Sequence, residues 1–357
     1  MEHAKPRFRL GDDAAKALKV LVPLATTVVL LAWLFHKVNY HQVLDIIHRG
    51  VDYRFIIAMM VVTCLSHIIR GIRWGIQLRA AGVPRMPVVA ESVSIFGAYA
   101  LNLVFPFLGE AWRCVYISRR ENVKLSTVVG TDIGDRASDG IMIGLIVVLA
   151  VFVARPAMER FASEYRIGSI LEDALSGVWL WVGLAALICV LLLLDYIFRR
   201  TAVVQGINTS CARIWNGFAV LFHLHGIGAY LWLTLGIWVC YFLETYLCFF
   251  AFPFTRELIS QPGMCWGLVP GLVVFVFGSC SMIVPSNGGL GPWNIAVAFA
   301  MTLYGLSEAE GAAYSLICWS FQSLMLVICG IFSAIYITSY RKKRKRAEAK
   351  ADESQVK

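Results

Sequence analysis

The sequence predicts an all-α polytopic membrane protein with about six full transmembrane helices and two oppositely oriented re-entrant helical hairpins that form an inverted repeat. Three observations lead to this fold class. Hydrophobic residues make up 59% of the chain and charged residues only 15%, a balance typical of membrane proteins. Apolar runs long enough to cross a bilayer recur from Leu18 to Tyr336. Two breaks rich in proline and glycine interrupt such runs about half a chain length apart.

Full spans are predicted where apolar runs approach about 20 residues. These spans are residues 18–35, 55–78, 127–153, 178–197, 227–252 and 312–336. Two further apolar segments, residues 88–105 and 264–284, each run into a break and continue as a shorter apolar piece. The breaks carry Pro106 and Gly109 in the first case, and Pro285, Gly288, Gly289 and Gly291 in the second. Paired breaks point to a transporter-type binding site, because unwound backbone at membrane depth is tolerated where it lines a cavity. Two unrelated helix kinks are the alternative.

Lysine and arginine concentrate on the cytoplasmic side of membrane proteins, and here they favour re-entrant hairpins over ordinary crossings. Ordinary crossings would place the basic residues 119–124 outside. With hairpins, all the basic segments lie inside: the N-terminus, residues 70–85, 119–124 and 199–213, and the tail 341–346. The loops 155–177 and 305–311, which carry most of the loop acids, then lie outside.

Three full spans separate the two hairpins, so the first enters from the inner face and the second from the outer face. We therefore expect their tips to approach each other near the bilayer midplane. The predicted half-repeats are roughly residues 55–153 and 227–336. They lie in a single transmembrane domain, residues 18–340, between a cytoplasmic N-terminal segment, residues 1–17, and a basic cytoplasmic tail, residues 341–357.

Charged side chains at membrane depth are costly, so they tend to face the bundle interior and to mark a pathway. The residues in question are Arg70, Arg73, Glu110, Arg113, Asp132, Asp135, Arg136, Asp139 and Glu244. Four of them, Asp132 to Asp139, have the spacing of one helical face, and we expect Arg136 to form a salt bridge with a neighbouring aspartate. Glu244 is alone in its span and needs a partner on another helix.

Simpler explanations stand beside these. Arg70, Arg73 and Arg79 are also placed to snorkel to lipid phosphates, the aspartate face to act as a static clamp, and His67 to pack as a neutral imidazole. The basic tail and the net charge of +9 fit a membrane surface, whereas a nucleic-acid role needs a folded module that the sequence lacks. Without HExxH, GxSxG or clustered Cys and His, we predict no enzyme, no cofactor and no metal site.

Four short motifs occur in order along the chain. They are Arg73-Trp74, Pro106-x-x-Gly109-Glu110-x-x-Arg113, Asp135-Arg136-x-x-Asp139 and Pro285-x-x-Gly288-Gly289-Leu290-Gly291. Together they resemble the lysylphosphatidylglycerol synthase transmembrane, or flippase-like, family, which includes the flippase domain of the multiple peptide resistance factor. The resemblance covers roughly residues 20–340. It implies a multi-pass lipid transporter of the bacterial inner membrane with both termini in the cytoplasm.

Two positions depart from the family pattern. Asn294 stands where the family usually has an acid, and Trp319 stands where it usually has an arginine in the last span. A family acid and a family base are thus both missing, which affects the expected substrate and coupling. The aminoacyl-transfer half of the resistance factor has no counterpart here, so we expect no lipid synthesis.

The predicted site joins these residues to the implied activity. Arg73, Arg113 and Arg136 offer charge-assisted donors to a phosphate headgroup, and the backbone around Gly288 to Gly291, ahead of Pro292, offers a second anion site. The other predicted substrate-binding residues are Trp74, Glu110, Asp135, Asp139, Asn287, Gly289 and Asn294. Asp132 and Glu244 are assigned to coupling or charge balance, and Pro106, Gly109, Pro285 and Gly291 to the hairpin tips.

The function expected from this site is a flippase or scramblase that moves an anionic phospholipid or a lipid-linked phosphate between leaflets. A transporter of a small soluble anion on the same scaffold is one alternative. A membrane enzyme or an accessory protein without transport is the other.

Overall fold

The computed structural model describes residues 50–164 and 226–355, with isolated positions between 209 and 224. The described ranges are helical and contain no β-strand. The helices are α1 (Tyr53–Ala80), α2 (Val88–Asn102), α3 (Leu108–Glu121), α4 (Leu125–Val153), α5 (Arg155–Glu164), α6 (Ile227–Phe249), α7 (Pro253–Ile259), α8 (Leu268–Ser281), α9 (Pro292–Thr302) and α10 (Glu308–Gln355). Two short 3₁₀ turns, Cys265–Gly267 and Asn287–Gly289, precede α8 and α9. The predicted spans 18–35 and 178–197 lie outside the described residues.

Four of the described helices are long and apolar enough to cross a membrane: α1, α4, α6 and the Glu308–Arg344 part of α10. They coincide with four of the six predicted spans. Helix α10 continues without a break into the predicted tail, residues 341–357, and ends at Gln355.

The long helices expose apolar side chains and bury polar ones, the reverse of a water-soluble bundle. On α4 the exposed large side chains include Ile141, Leu145, Val148 and Phe152, and on α10 the same spacing recurs at Leu324, Ile328, Ile331 and Ile335. These spacings of three and four residues form one stripe along each helix. Stripes of this kind are suited to lipid tails and costly in water.

Each predicted break lies between two short helices that pack against each other, α2 with α3 and α8 with α9. In the first pair, a side chain on Gly109 would lie only 1.9 Å from the carbonyl oxygen of Ala98, so the helices meet at backbone distance. In the second pair, Gly278 faces the indole of Trp293. Both breaks are therefore turns of helical hairpins, and neither is a kink in a continuous helix.

The buried apolar side chains form two main clusters, each centred on one hairpin. The larger cluster joins α8 and α9 to α1, α6 and α10, with Phe249, Phe252 and Tyr314 fully buried. The second cluster joins α2 and α3 to α1, α4 and α10, with Trp74 and Ile117 at its centre. Helices α1 and α10 contribute to both clusters, so they connect the two hairpins.

Candidate functional site

The inward face of α1 carries the first two arginines. Arg70, Arg73 and Trp74 share this face because residues three and four apart lie on one side of a helix. Each of the three is at most 2% exposed. The alternative in which Arg70 and Arg73 snorkel to lipid phosphates is therefore wrong. Arg79 differs from them: its side chain is 35% exposed, and its guanidinium donates to the buried Glu91 carboxylate at 2.8 Å.

Two aspartates of α4 face these arginines across the bundle. Arg70 Nη1 lies 3.1 Å from Asp135 Oδ2 and 2.8 Å from Asp139 Oδ2. Arg73 Nη2 lies 2.5 Å from Asp135 Oδ1 and 2.8 Å from Asp139 Oδ1. Each arginine thus bridges both carboxylates, and each carboxylate uses one oxygen for each arginine. This reciprocal arrangement of charge-assisted hydrogen bonds locks α1 to α4.

A second group of charges joins the first through Asp135. Arg113 of α3 lies with its Nε 2.8 Å from Glu110 Oε2, and its Nη2 pairs with Asp132. The same Nη2 is 3.6 Å from Asp135 Oδ2. The guanidinium of Arg113 also lies over the Trp74 ring, 4.5 Å from its centre, a cation–π contact. Asp135 therefore connects helices α1, α3 and α4.

Arg136 completes this set, which we call the charge network. It consists of Arg70, Arg73, Arg113, Arg136, Glu110, Asp132, Asp135 and Asp139. Within the described part of the chain, four formal positive charges meet four formal negative charges. The Arg136 side chain is 41% exposed and pairs with Glu110. It is the accessible end of a network whose other arginines are buried.

The predicted salt bridge between Arg136 and an aspartate of its own helix is wrong. Arg136 pairs with Glu110 of α3, Asp132 pairs with Arg113, and Asp139 pairs with both arginines of α1. The residues predicted to share one helical face, Asp132 to Asp139, also differ in burial: Asp135 and Asp139 are buried, whereas Arg136 is exposed. Pairs between helices prevail because the network arginines of α1 and α3 are more deeply buried than Arg136, and an unpaired buried charge is costly.

Two tyrosines of α6 support the network and were missed at the sequence level. Arg70 Nε donates to Tyr241 Oη at 3.0 Å. The Tyr230 hydroxyl accepts from Gln77 at 2.7 Å and lies 2.7 Å from Ser138 Oγ. Tyrosines 11 residues apart repeat on one face of a helix after three turns, so this spacing within an apolar span was the available signal.

At the second break, two backbone N–H groups that were predicted from the sequence to form an anion site already donate hydrogen bonds within the protein. The Gly291 N–H donates to Asn294 Oδ1 at 3.0 Å, and the Leu290 N–H donates to the Asn287 carbonyl at 3.1 Å. Pro292 has no N–H. The predicted anion site from Gly288 to Gly291 therefore loses two of its expected donors, and only the Gly288 and Gly289 amides remain from that stretch.

The two residues that depart from the family pattern have structural partners at this break. Trp319 donates its indole N–H to the Gly288 carbonyl at 2.8 Å. The Asn294 carboxamide oxygen caps the start of α9, and the side chain is fully buried. Neutral groups thus hold the glycine turn in place at the two positions where the family pattern has an acid and a base.

The tips of the two hairpins touch. The Cβ position of Gly288 lies 2.5 Å from Leu103 Cδ2, so a side chain at Gly288 would displace Leu103. Asn102, the residue before Leu103, accepts from the Gly109 N–H at 2.8 Å and donates to Glu110 Oε1 at 3.5 Å. A short path therefore runs from the tip contact through Asn102 to the exposed end of the charge network. Asn102 was not among the predicted site residues.

Glu244 lies apart from the charge network. As predicted, its hydrogen-bond partner is on another helix: Gln322 of α10 donates to Glu244 Oε2 at 3.0 Å. In the described ranges, no group of three or more histidine, cysteine, aspartate or glutamate side chains is arranged to hold a metal ion.

Comparison with known proteins gives one match. The family model described as Lysylphosphatidylglycerol synthase TM region matches residues 20–341 of the chain. The matched range contains the whole charge network and both hairpin tips. No curated protein and no solved structure matches the chain.

We expect Asp135→Asn to lower the free energy of unfolding by about 3–5 kcal/mol, because it leaves buried arginines without their shared carboxylate. Adding Arg73→Gln should recover part of the loss by restoring the charge balance. The melting temperature of the detergent-solubilised protein, followed by tryptophan fluorescence, measures both effects.

The matched control for this test is Glu159→Gln, which removes a carboxylate from the exposed Arg155–Glu159 pair of α5. Exposed pairs contribute little to stability, so its melting temperature should equal that of the unmodified protein. Equal melting temperatures for Asp135→Asn and Glu159→Gln would contradict a stabilising role for the network.

Proposed function

The chain belongs to the lysylphosphatidylglycerol synthase TM region family, and from this membership we propose that it is a lipid transporter of the flippase or scramblase type. The match agrees with the resemblance predicted from the four motifs, and the chain is a multi-pass membrane protein. In this proposal the cargo is an anionic phospholipid or a lipid-linked phosphate. Its headgroup passes between the hairpin tips while its tails stay in the bilayer.

The lengths of the hairpin arms support re-entrant hairpins. Helix α2 has 15 residues and α3 has 14, and at 1.5 Å per residue each extends only about 22 Å. The hydrocarbon core of a bilayer is about 30 Å thick. Helices α8 and α9 are no longer than these, with 14 and 11 residues. In the proposed topology the hairpins enter from opposite faces, and both termini are cytoplasmic.

The observation that carries the proposed function is the exposed end of the charge network. Arg136 is the accessible guanidinium in a network whose other arginines are at most 2% exposed. A guanidinium matches the geometry of a phosphate and binds it by two parallel hydrogen bonds. A headgroup phosphate that reaches Arg136 takes the place of the Glu110 carboxylate.

The balance of charges in the network determines how a phosphate can bind. The described network already pairs four arginines with four carboxylates, so an incoming phosphate has no empty cation to occupy. It binds by exchange, and Glu110 then keeps its contact with Arg113. Such an exchange is suited to transport, because binding that is too strong would prevent release on the other side.

The hairpin tips are the second part of the mechanism. Leu103 and Gly288 are in contact, so a headgroup cannot pass until the tips separate. Glu110 is hydrogen bonded to Asn102, which adjoins Leu103. Displacement of Glu110 by a phosphate therefore releases one restraint on the first tip. Glycines at the second tip allow it to move because they tolerate positive φ angles, as at Gly288 (φ 59°) and Gly289 (φ 81°).

We expect purified protein in liposomes to accelerate the movement of a labelled anionic phospholipid or lipid-linked phosphate between leaflets. Arg136→Gln should reduce this rate at least tenfold, because a lost charge-assisted contact is worth about 1.5–3 kcal/mol. Arg256→Gln is the matched control, since Arg256 is also about half exposed and also pairs with a carboxylate, that of Asp52. It should leave the rate unchanged.

A glycine pair tests the tip contact in the same liposomes. Gly288→Ala should slow headgroup movement, because its Cβ meets Leu103. Gly305→Ala has a similar positive φ but open space around its Cβ, so it controls for backbone strain alone. If no anionic lipid moves faster than in empty liposomes while a soluble anion is taken up, the protein is a small-anion transporter. If neither moves, an accessory role without transport replaces the proposal.

Cysteine labelling tests the proposed topology. Cys265 is the exposed cysteine among those that the structure describes, and it precedes α8 on the side from which the second hairpin enters. In intact cells an impermeant thiol reagent should label Cys265, with every other cysteine replaced. In a background without cysteine, Arg119→Cys should be protected and Glu308→Cys labelled.

Both introduced cysteines replace exposed residues, so a failure to react reports the membrane barrier and not burial. Permeabilised cells supply the control, because all three positions should then react. Labelling of the residue 119 variant in intact cells would contradict the re-entrant model.

A further inference from the structure

A second buried acidic site lies on α6, away from the charge network. Glu244 is 7% exposed, and Gln322 of α10 donates to its Oε2 at 3.0 Å. The hydroxyl groups of Ser66 and Thr63 on α1 lie beside the same carboxyl group. Glu244 forms no ion pair with any described residue. The three neighbours named here, Gln322, Ser66 and Thr63, have neutral side chains, and they come from two helices that contribute to both hydrophobic clusters.

The two hydroxyl groups beside Glu244 already donate their hydrogens to backbone carbonyl groups of α1. Thr63 Oγ1 donates to the Met59 carbonyl at 3.1 Å, and Ser66 Oγ donates to the Thr63 carbonyl at 2.8 Å. A hydroxyl has one hydrogen to donate and two lone pairs to accept with. These two hydroxyls therefore present only lone pairs to the carboxyl group.

The remaining oxygen of Glu244 needs a hydrogen. Oε1 is buried and accepts no hydrogen bond from the described residues. Oxygen lone pairs on both sides of this gap repel each other, and burying an unpaired carboxylate is expensive. A proton on Oε1 resolves both problems, because the carboxylic acid O–H then donates to Ser66 or Thr63.

The surrounding elements offer no charge that changes this conclusion. Titratable or charged groups on the elements around Glu244 include Cys64, His67 and Arg70 on α1, Cys240, Tyr241 and Cys248 on α6 itself, Arg256 and Glu257 on α7, Cys280 on α8, and Tyr314 and Cys318 on α10. Arg70 is engaged by Asp135 and Asp139, and Arg256 by Asp52. Cys240, one helical turn before Glu244, and Tyr241 are neutral donors or acceptors at physiological pH.

We propose that Glu244 is a proton-binding site, distinct from the charge network, that takes a proton from water and returns it to water as α1, α6 and α10 rearrange. The proton bridges Glu244 Oε1 and the hydroxyl lone pairs of α1. Loss of the proton leaves two facing acceptors, which favours separation of α6 from α1. If the chain moves lipid, as the proposed function holds, this site makes the movement respond to a proton gradient.

Dicyclohexylcarbodiimide, an apolar reagent that reacts with protonated carboxyl groups, tests the site directly. We expect it to modify Glu244 of the purified full-length protein at neutral pH, as mapped by peptide mass spectrometry, and to modify it much less at strongly alkaline pH. Glu244→Gln should abolish the modified peptide. Glu308, an exposed acid at the start of α10, is the internal reference for a water-facing carboxyl group and should remain unmodified.

Two outcomes would overturn the proposal. Absence of the adduct at neutral pH, with the reagent shown active on a buried model acid, means that Glu244 holds no proton. Protection by sodium chloride but not by potassium chloride means that a sodium ion occupies the gap instead. Neither measurement depends on lipid transport, so they decide the proton site even if the proposed function fails.

The link to transport has its own readout. In liposomes that show lipid movement, an imposed pH gradient should change the rate for the unmodified protein and for Arg256→Gln. The Glu244→Gln variant should show no response to the gradient. A response that survives in Glu244→Gln would overturn the coupling role of this site.

Discussion

The burial of arginine side chains inside a membrane protein is the constraint on which the rest of this structure depends. Arg70, Arg73 and Arg113 are almost fully enclosed, and each would be strongly destabilising without a carboxylate beside it. Asp135 lies near all three. This requirement constrains the relative positions of α1, α3 and α4, because all three guanidinium groups lie within 3.6 Å of Asp135.

The same constraint explains why the first hairpin contains a polar arm. Helix α3 carries Glu110, Arg113 and three further charged residues near its end, a composition unsuited to lipid contact. The two charges nearest the bundle interior, Glu110 and Arg113, pair with α4, and Trp74 covers the guanidinium of Arg113. The two network arginines of α1 are buried, whereas Arg136 of α4 is exposed. The charge network therefore extends from buried charges on α1 to an accessible cation on α4.

Hydropathy and helical spacing predict much of this structure from sequence, and pairing in three dimensions accounts for what they miss. Four predicted spans and both glycine breaks correspond to observed elements, because apolar length and proline or glycine act locally. The partner of Arg136 was predicted wrongly because sequence proximity favours Asp132 and Asp139, whereas both aspartates form ion pairs with buried arginines of other helices. Asn102, Tyr230 and Tyr241 were missed because neutral side chains give no charge signal. The hydrogen bond from the Gly291 N–H to Asn294 was missed because a glycine-rich turn in a sequence indicates free backbone N–H groups and does not show the side chains that accept from them.

In the proposed function, the exposed end of the charge network binds an anionic headgroup. Native mass spectrometry of the gently extracted protein measures this most directly, by comparing the lipid retained by the unmodified chain and by a chain with Arg136→Gln. We expect the unmodified chain to retain one anionic phospholipid or lipid-linked phosphate per chain and the variant to lose it. Retention of the same lipid by both chains, or of none by the unmodified chain, would contradict it.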